Sequence, residues 1–179
     1  FGQFSQAPVE LDMIGAAFQD GVDGYEIFGA LAVDDDVGHF LGVRIDCVEC
    51  HDGKLGSPWK QSDFHQLAAC FGQVEFELNG LVDKPNGQYK TRYLGELEEA
   101  VIPTKVPWKP ELLPESGLAR ERLAAWVTAK ENKAFARSMV NRMWALMFNR
   151  PLISPVDDIP LEGPFPAGLE VLADDFTAH

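Results

Sequence analysis

Helical periodicity is clearest between residues 118 and 149, where apolar side chains recur at spacings of three and four. That period places them on one face of an α-helix. Ala119 to Val127 predicts one helix, Glu131-Asn132 a break, and Ala134 to Phe148 a second, longer helix. Its apolar face would carry Phe135, Met139, Val140, Met143, Trp144 and Met147. Pro151 stops it, because proline has no N–H to give the ladder. Leu169 to Phe176 predicts a short final helix. Upstream, Val37, Phe40, Leu41 and Ile45 share a face behind Asp34-Asp35-Asp36. Carboxylates suit a helix N-terminus, so a helix is predicted over 34–46. Another is predicted from Ser62 to Phe71, capped by Ser62 or Asp63, and a short one over 8–20 after Pro8.

The period changes between residues 73 and 94. Val74, Phe76 and Leu78 alternate, and Tyr89 and Tyr93 follow Lys84-Pro85-Asn86-Gly87. A small β-hairpin with its turn near Pro-Asn-Gly is expected. Pro103, Pro107, Pro110, Pro114 and Gly117 make 101–117 an extended connector, with Trp108 packed on the body. The fold class is thus mainly α.

Composition narrows the partners. The chain has 179 residues, 46% of them hydrophobic, and a net charge of −13. That is enough for one sizeable core or two small lobes. The acidity argues against nucleic acid or an anionic membrane surface, and permits a partner with a basic face. No run reaches the length of a transmembrane helix. Of three cysteines, Cys70 lies among apolar neighbours and reads as a small buried residue, so no disulfide framework is expected.

The other two stand in Cys47-Val48-Glu49-Cys50-His51. C-x-x-C-H is the attachment pattern for c-type haem. Two thiols three positions apart reach the two vinyl groups of one porphyrin, and the adjoining histidine supplies the proximal nitrogen. A chance match in so short a chain is on the order of one in a thousand. Zinc is the chemical competitor, but it needs further ligands, and His39, His65 and His179 are scattered. A thiol redox role would call for a βαβ setting, which is not visible here.

Longer segments resemble a known domain pair. Phe40-Leu41-Gly42-Val43-Arg44-Ile45-Asp46-Cys47-Val48-Glu49-Cys50-His51-Asp52, with Trp59 to Ala69 after it, resembles the core of a cytochrome-c-like domain of unknown function that is abundant in Planctomycetes. Arg120 to Trp144, especially Asn132, Phe135-Ala136-Arg137 and Val140-Asn141-Arg142-Met143-Trp144, resembles the domain commonly fused to it. Pro155-Val156-Asp157-Asp158 and Leu169 to Phe176 match that domain's close. Two departures stand out. The family often has histidine where this chain has Gly53, and histidine or methionine at Leu146, one place before Met147.

The resemblance implies one covalent haem c and an extracytoplasmic (periplasmic or secreted) location, and no established substrate. Such a protein needs an export signal. None is visible at Phe1-Gly2-Gln3-Phe4, so the chain is expected to begin after processing or to be part of a longer one. The expected organisation is an unassigned segment 1–36, a haem-attachment domain 37–100, the proline-rich connector 101–117, and a helical domain 118–179 packing on the haem.

His51 is the expected proximal ligand. For the distal position Met139, Met143 and Met147 form one stripe, with Met147 preferred, then Met143; Met13, His65 or an open site are alternatives. Met/His ligation raises the potential and suits electron transfer, whereas a methionine stripe also serves as core packing. His65 reads more readily as a surface or loop-facing histidine. Arg44, Arg137 and Arg142 are candidates to pair with propionates, against the alternative of ordinary ion pairs. Trp59 and Trp144 would contact the porphyrin or fill the core.

No phosphate loop, nucleophile elbow or second metal cluster points to an enzyme. The leading expectation is a monohaem c-type cytochrome that transfers electrons, docking a redox partner with a basic face through Asp46, Glu49 and Asp52. The alternative is a haem-bearing structural or interaction subunit of a larger extracytoplasmic complex. A peroxidase-like or gas-binding role is third.

Overall fold

The computed structural model describes residues 38–53, 57–78, 80–93 and 95–179. The helix expected over 8–20, Met13 and the cluster Asp34 to Asp36 lie outside the described residues. The described part is mostly helical, with two small antiparallel ribbons.

The first helix, α1, is Gly38–Leu41. It ends far short of the expected residue 46. Gly42 takes φ 64°, a left-handed conformation open to glycine at little cost. The backbone also passes close to the helix Ala134–Phe148 here. A Cβ on Gly42 would lie 3.0 Å from Ser138 Cβ and 3.1 Å from Ile159 Cδ1. Beyond it the chain is extended: Val43 and Ile45 are buried, while Arg44 and Asp46 face out, the alternation of a strand. A 3₁₀ turn, Asp46–Val48, follows.

Helix α2 is Gln61–Ala68, continued by a 3₁₀ turn at Ala69–Phe71. Asp63 caps it from the third position, its carboxylate accepting the Lys60 N–H at 2.8 Å. Phe64, Leu67 and Ala68 face the core, with Cys70 buried just beyond. Burial pushes the Cys70 thiol up to about 12, so it stays protonated.

Strand β1 (Val74–Glu77) pairs with β2 (Gly80–Asp83). The register sets Glu77 opposite Gly80, so the ribbon turns between them and not at Pro85-Asn86-Gly87. The latter forms a separate turn, closed by the Gly87 N–H on the Lys84 carbonyl at 2.9 Å. Strands β3 (Lys90–Thr91) and β4 (Ala100–Val101) form the second ribbon.

The connector runs extended through buried Ile102 and Val106 to a 3₁₀ turn at Pro110–Leu112. Trp108 packs on the body as expected, with ring centroids 5.6 Å from Trp59 and 4.8 Å from Trp126. Its Nε1 donates to Asn132 Oδ1 at 2.9 Å, and Asn132 Nδ2 donates to the Trp126 carbonyl at 2.9 Å. The break between the two long helices is thus a buried, satisfied amide.

Helices α3 (Ala119–Val127) and α4 (Ala134–Phe148) lie where the periodicity put them, and α5 spans Ala167–Ala178. The face of α4 is the correction. Its buried residues are Ala134, Ala136, Ser138, Val140 and Asn141, while Met143 is 58% and Met147 70% exposed. The cause is polar. Ser138 Oγ donates to the His39 carbonyl of α1 at 2.8 Å, and Asn141 exchanges two hydrogen bonds with Ile153 at 2.9 Å. Arg137 forks onto Glu170 of α5 at 2.7 and 3.2 Å.

One apolar core joins these elements. Leu41, Val43, Ile45 and Val48 meet Phe64 and Leu67 of α2 and Leu123 and Trp126 of α3. It lies directly beneath the Cys47–His51 turn, with Val48 as that turn's inward residue. Among the described residues no helix is long and apolar enough to cross a membrane.

Candidate functional site

The pentapeptide at 47–51 is anchored by its second residue. Val48 is 1% exposed, whereas Cys47 and Cys50 are exposed free thiols. The 3₁₀ turn accounts for this: Val48 N–H bonds the Ile45 carbonyl and Glu49 N–H the Asp46 carbonyl, both at 3.2 Å. Driving Val48 into the core turns the residues on either side of it outward.

His51 is part-exposed, and its Nδ1 lies 2.8 Å from the Asp52 carbonyl. A carbonyl only accepts, so Nδ1 donates, and in the neutral ring the Nε2 lone pair is then left for a metal. The next residues are pinned too. Gly53 N–H donates to the Trp59 carbonyl at 2.9 Å, and Asp52 Oδ1 accepts the Gln61 N–H at 3.0 Å.

Helix α2 supplies a second layer of support. Gln61 Nε2 donates to the Glu49 carbonyl at 2.9 Å, and His65 Nε2 donates to the same oxygen at 3.1 Å. Because His65 Nε2 holds the proton, Nδ1 accepts from the Tyr89 hydroxyl at 2.9 Å. His65 is therefore buried with both nitrogens engaged, against its expected place at the surface. Burial lowers its pKa, with the Glu49 hydrogen bond opposing that shift. Both nitrogens already have protein partners, which weighs against the bis-histidine alternative through His65.

The donor set fits a c-type haem. Two accessible thiols bracket a buried valine, and the following histidine has Nδ1 engaged by the backbone, which leaves Nε2 open. Thioethers form at the porphyrin edge, away from the iron, so the three side chains need not converge. Zinc would require convergence. Among the described residues no group of three or more His, Cys, Asp or Glu is arranged to hold a metal ion.

The other candidates are engaged elsewhere. Arg44 pairs with Asp46 at 3.5 Å, Arg142 pairs with Asp157 and donates to the His39 carbonyl at 3.3 Å, and Arg137 holds Glu170. Trp59 packs at a tilt against Trp108, and Trp144 at a tilt against Phe148 with ring centroids 4.3 Å apart. Met143 and Met147 line an apolar groove of about 330 Å³ between α4 and α5, with Val140, Trp144, Leu172 and Phe176; Cys47, Cys50 and His51 are not in its wall. A polar cleft of about 460 Å³ opens beside residues 43–46, between Arg44 and Asp46 on one wall and Asp157 and Asp158 on the other.

Gln61, His65, Asp52 and Tyr89 are the supporting residues that reading the sequence alone missed. One signal was available: Gln61 and His65 stand four apart and so share a helix face. Nothing local says that this face meets Glu49.

The family model for PSCyt2, a protein of unknown function (DUF1549), matches residues 30–76; that for PSD1, a protein of unknown function (DUF1553), matches residues 119–179. The first stretch holds the 47–51 turn and α2, the second α3 to α5, so the two models match in the order of the planctomycete-type domain pair that the sequence resembles. No curated protein and no solved structure matches the chain.

Proposed function

We propose that this chain is an extracytoplasmic monohaem c-type cytochrome whose work is electron transfer. The observation that supports this most is the His51 tautomer between two exposed thiols: Nδ1–H is held by the Asp52 carbonyl, and Nε2 is left as a ligand. When bound, the haem supplies a one-electron couple. The protein's part is to fix it through Cys47 and Cys50, to ligate it through His51, and to set its surroundings. The core under Val48 provides an apolar floor, and the acidic residues Asp46, Glu49 and Asp52 favour a partner with a basic face. Residues 37–100 are read as the attachment domain and 118–179 as the helical domain beside it.

For the distal position, Met147 and then Met143 remain the preferred thioethers in this reading. Arg44, at the rim of the cleft beside the motif, is the guanidinium best placed to turn toward a propionate. A second reading is supported by the apolar groove: Met143, Met147 and Phe176 face solvent together, as they would on a subunit docked into a larger complex.

A pyridine haemochrome of protein made with a c-type maturation system tests the proposal. One covalent haem per chain, with a reversible low-spin redox transition, is the expected result. A chain whose Cys47 and Cys50 stay fully alkylatable after maturation sinks it. In the loaded protein, Met147→Leu should abolish the weak charge-transfer band of methionine-ligated ferric haem; a retained band moves the ligand elsewhere.

A further inference from the structure

The two thiols at the candidate site are not held alike. Cys47 lies inside the 3₁₀ turn Asp46–Val48. Its position follows from that turn's own backbone bonds and from buried Val48. Cys50 lies beyond the turn. What orients it is the peptide plane joining Glu49 to Cys50, and the carbonyl of that plane is gripped from α2. Gln61 Nε2 reaches it at 2.9 Å and His65 Nε2 at 3.1 Å, while Asp52 Oδ1 takes the Gln61 N–H at 3.0 Å. Helix α2 therefore holds the chain on both sides of Cys50-His51. Gln61 sits at its exposed start and His65 four residues on, buried, with the Tyr89 hydroxyl and the edges of Phe64 and Tyr93 fixing the ring.

We propose that His65 is a positioning residue for the second thioether. Through the Glu49 carbonyl it sets the direction of the Cys50 side chain, and so decides whether Cys50 reaches its vinyl group. This rests on the haem reading above. In the bond-forming step the Cys50 thiol adds across the vinyl double bond. An Sγ–C bond forms, the thiol hydrogen passes to the other vinyl carbon, the π bond is consumed, and nothing is released. The step needs no oxidant, only a reduced thiol at the right distance and angle. A rotation of the 49–50 peptide plane swings Cβ of Cys50 away and leaves Cys47 in place.

His65→Phe removes the donor and keeps a ring against Phe64 and Tyr93. His65→Gln restores an N–H. In matured full-length protein, His65→Phe is expected to give the haemochrome band of a single-thioether haem attached at Cys47, with Cys50 open to alkylation. His65→Gln is expected to return the two-thioether band. Loss of helix would remove both attachments together, so this asymmetry separates positioning from stability. Gln61→Met, at the exposed start of α2, serves if His65→Phe does not fold, and should yield a mixed population. Two complete thioethers in His65→Phe, or in Gln61→Met where that variant stands in, overturns the proposal. So does equal loss at both cysteines in a folded variant. If the wild-type chain takes up no haem, the haem reading fails by itself. The clamp is then read on the thiols alone: His65→Phe should change the iodoacetamide rate of Cys50 relative to Cys47 severalfold, and an unchanged ratio overturns it.

Discussion

A histidine with both ring nitrogens committed behaves differently from one that faces water. His65 donates to the Glu49 carbonyl and accepts from Tyr89, an arrangement that the neutral ring satisfies while buried. Protonation would reverse the Tyr89 contact, with the hydroxyl oxygen accepting from Nδ1–H, and its cost is the charge it would bury. Burial therefore holds its pKa in the folded protein below the ordinary imidazole value of about 6.5. The unfolded chain takes up this proton first as pH falls, so stability is present above 6.5 and is lost as pH drops from there toward the folded value. The slope from one group cannot exceed about 1.4 kcal/mol per pH unit. Urea unfolding at about pH 7.5 and about pH 5.5 should show the wild type losing stability on acidification, and His65→Phe losing less. Equal slopes would mean that the ring is free to protonate. That Cys47, Cys50 and His51 make up the candidate site was legible, because the spacing itself suggests the chemistry. That His65 serves the site was not, since its partners are 16 and 24 residues away.

Two elements came out differently from their periodicity, for different reasons. The helix expected over 34–46 stops at Leu41 because α4 and Ile159 leave no room for a side chain at Gly42. The left-handed glycine then converts a helical face into an alternating strand that delivers Val48 to the core. Gly42→Ala puts a Cβ into that contact and a non-glycine residue at φ 64°. A loss of ~2 kcal/mol or more is expected in urea unfolding; a loss under about 0.5 kcal/mol would show that the approach is not tight. On α4 the period was right and the inward face was not. Hydropathy favours the methionine stripe, but Ser138, Asn141 and Arg137 each find a partner on α1, the 151–159 loop or α5. Satisfied buried polar groups can set helix rotation against the apolar count. The hairpin turn moved for a simpler reason. Asn86-Gly87 suits a turn, but the register pairs Glu77 with Gly80, so this ribbon closes before it.

For the whole molecule, one core lies under the motif and an apolar groove opens between α4 and α5. Exposed methionines at the groove should bind an apolar dye while adding little to stability. Met143→Ser with Met147→Ser is expected to reduce the fluorescence of bound anilinonaphthalene sulfonate, with a stability change within ~1 kcal/mol. Unchanged dye binding would place the apolar face elsewhere. A large stability loss would mean that those side chains pack inward in solution. The net charge of −13 acts at this scale as well. It biases encounter toward basic partners without selecting a fold.

By itself the sequence determined the donor spacing of the 47–51 turn, the mainly helical class, and the two long helices with the break between them. These are local properties: a donor spacing, a period, a proline. Tertiary structure decided which face of α4 turns inward, where the first helix ends, and which residues hold Cys50 and His51 from behind. Each of those depends on a hydrogen bond or a close approach between residues distant along the chain. No window of local sequence contains both partners, so only the packed fold makes the choice.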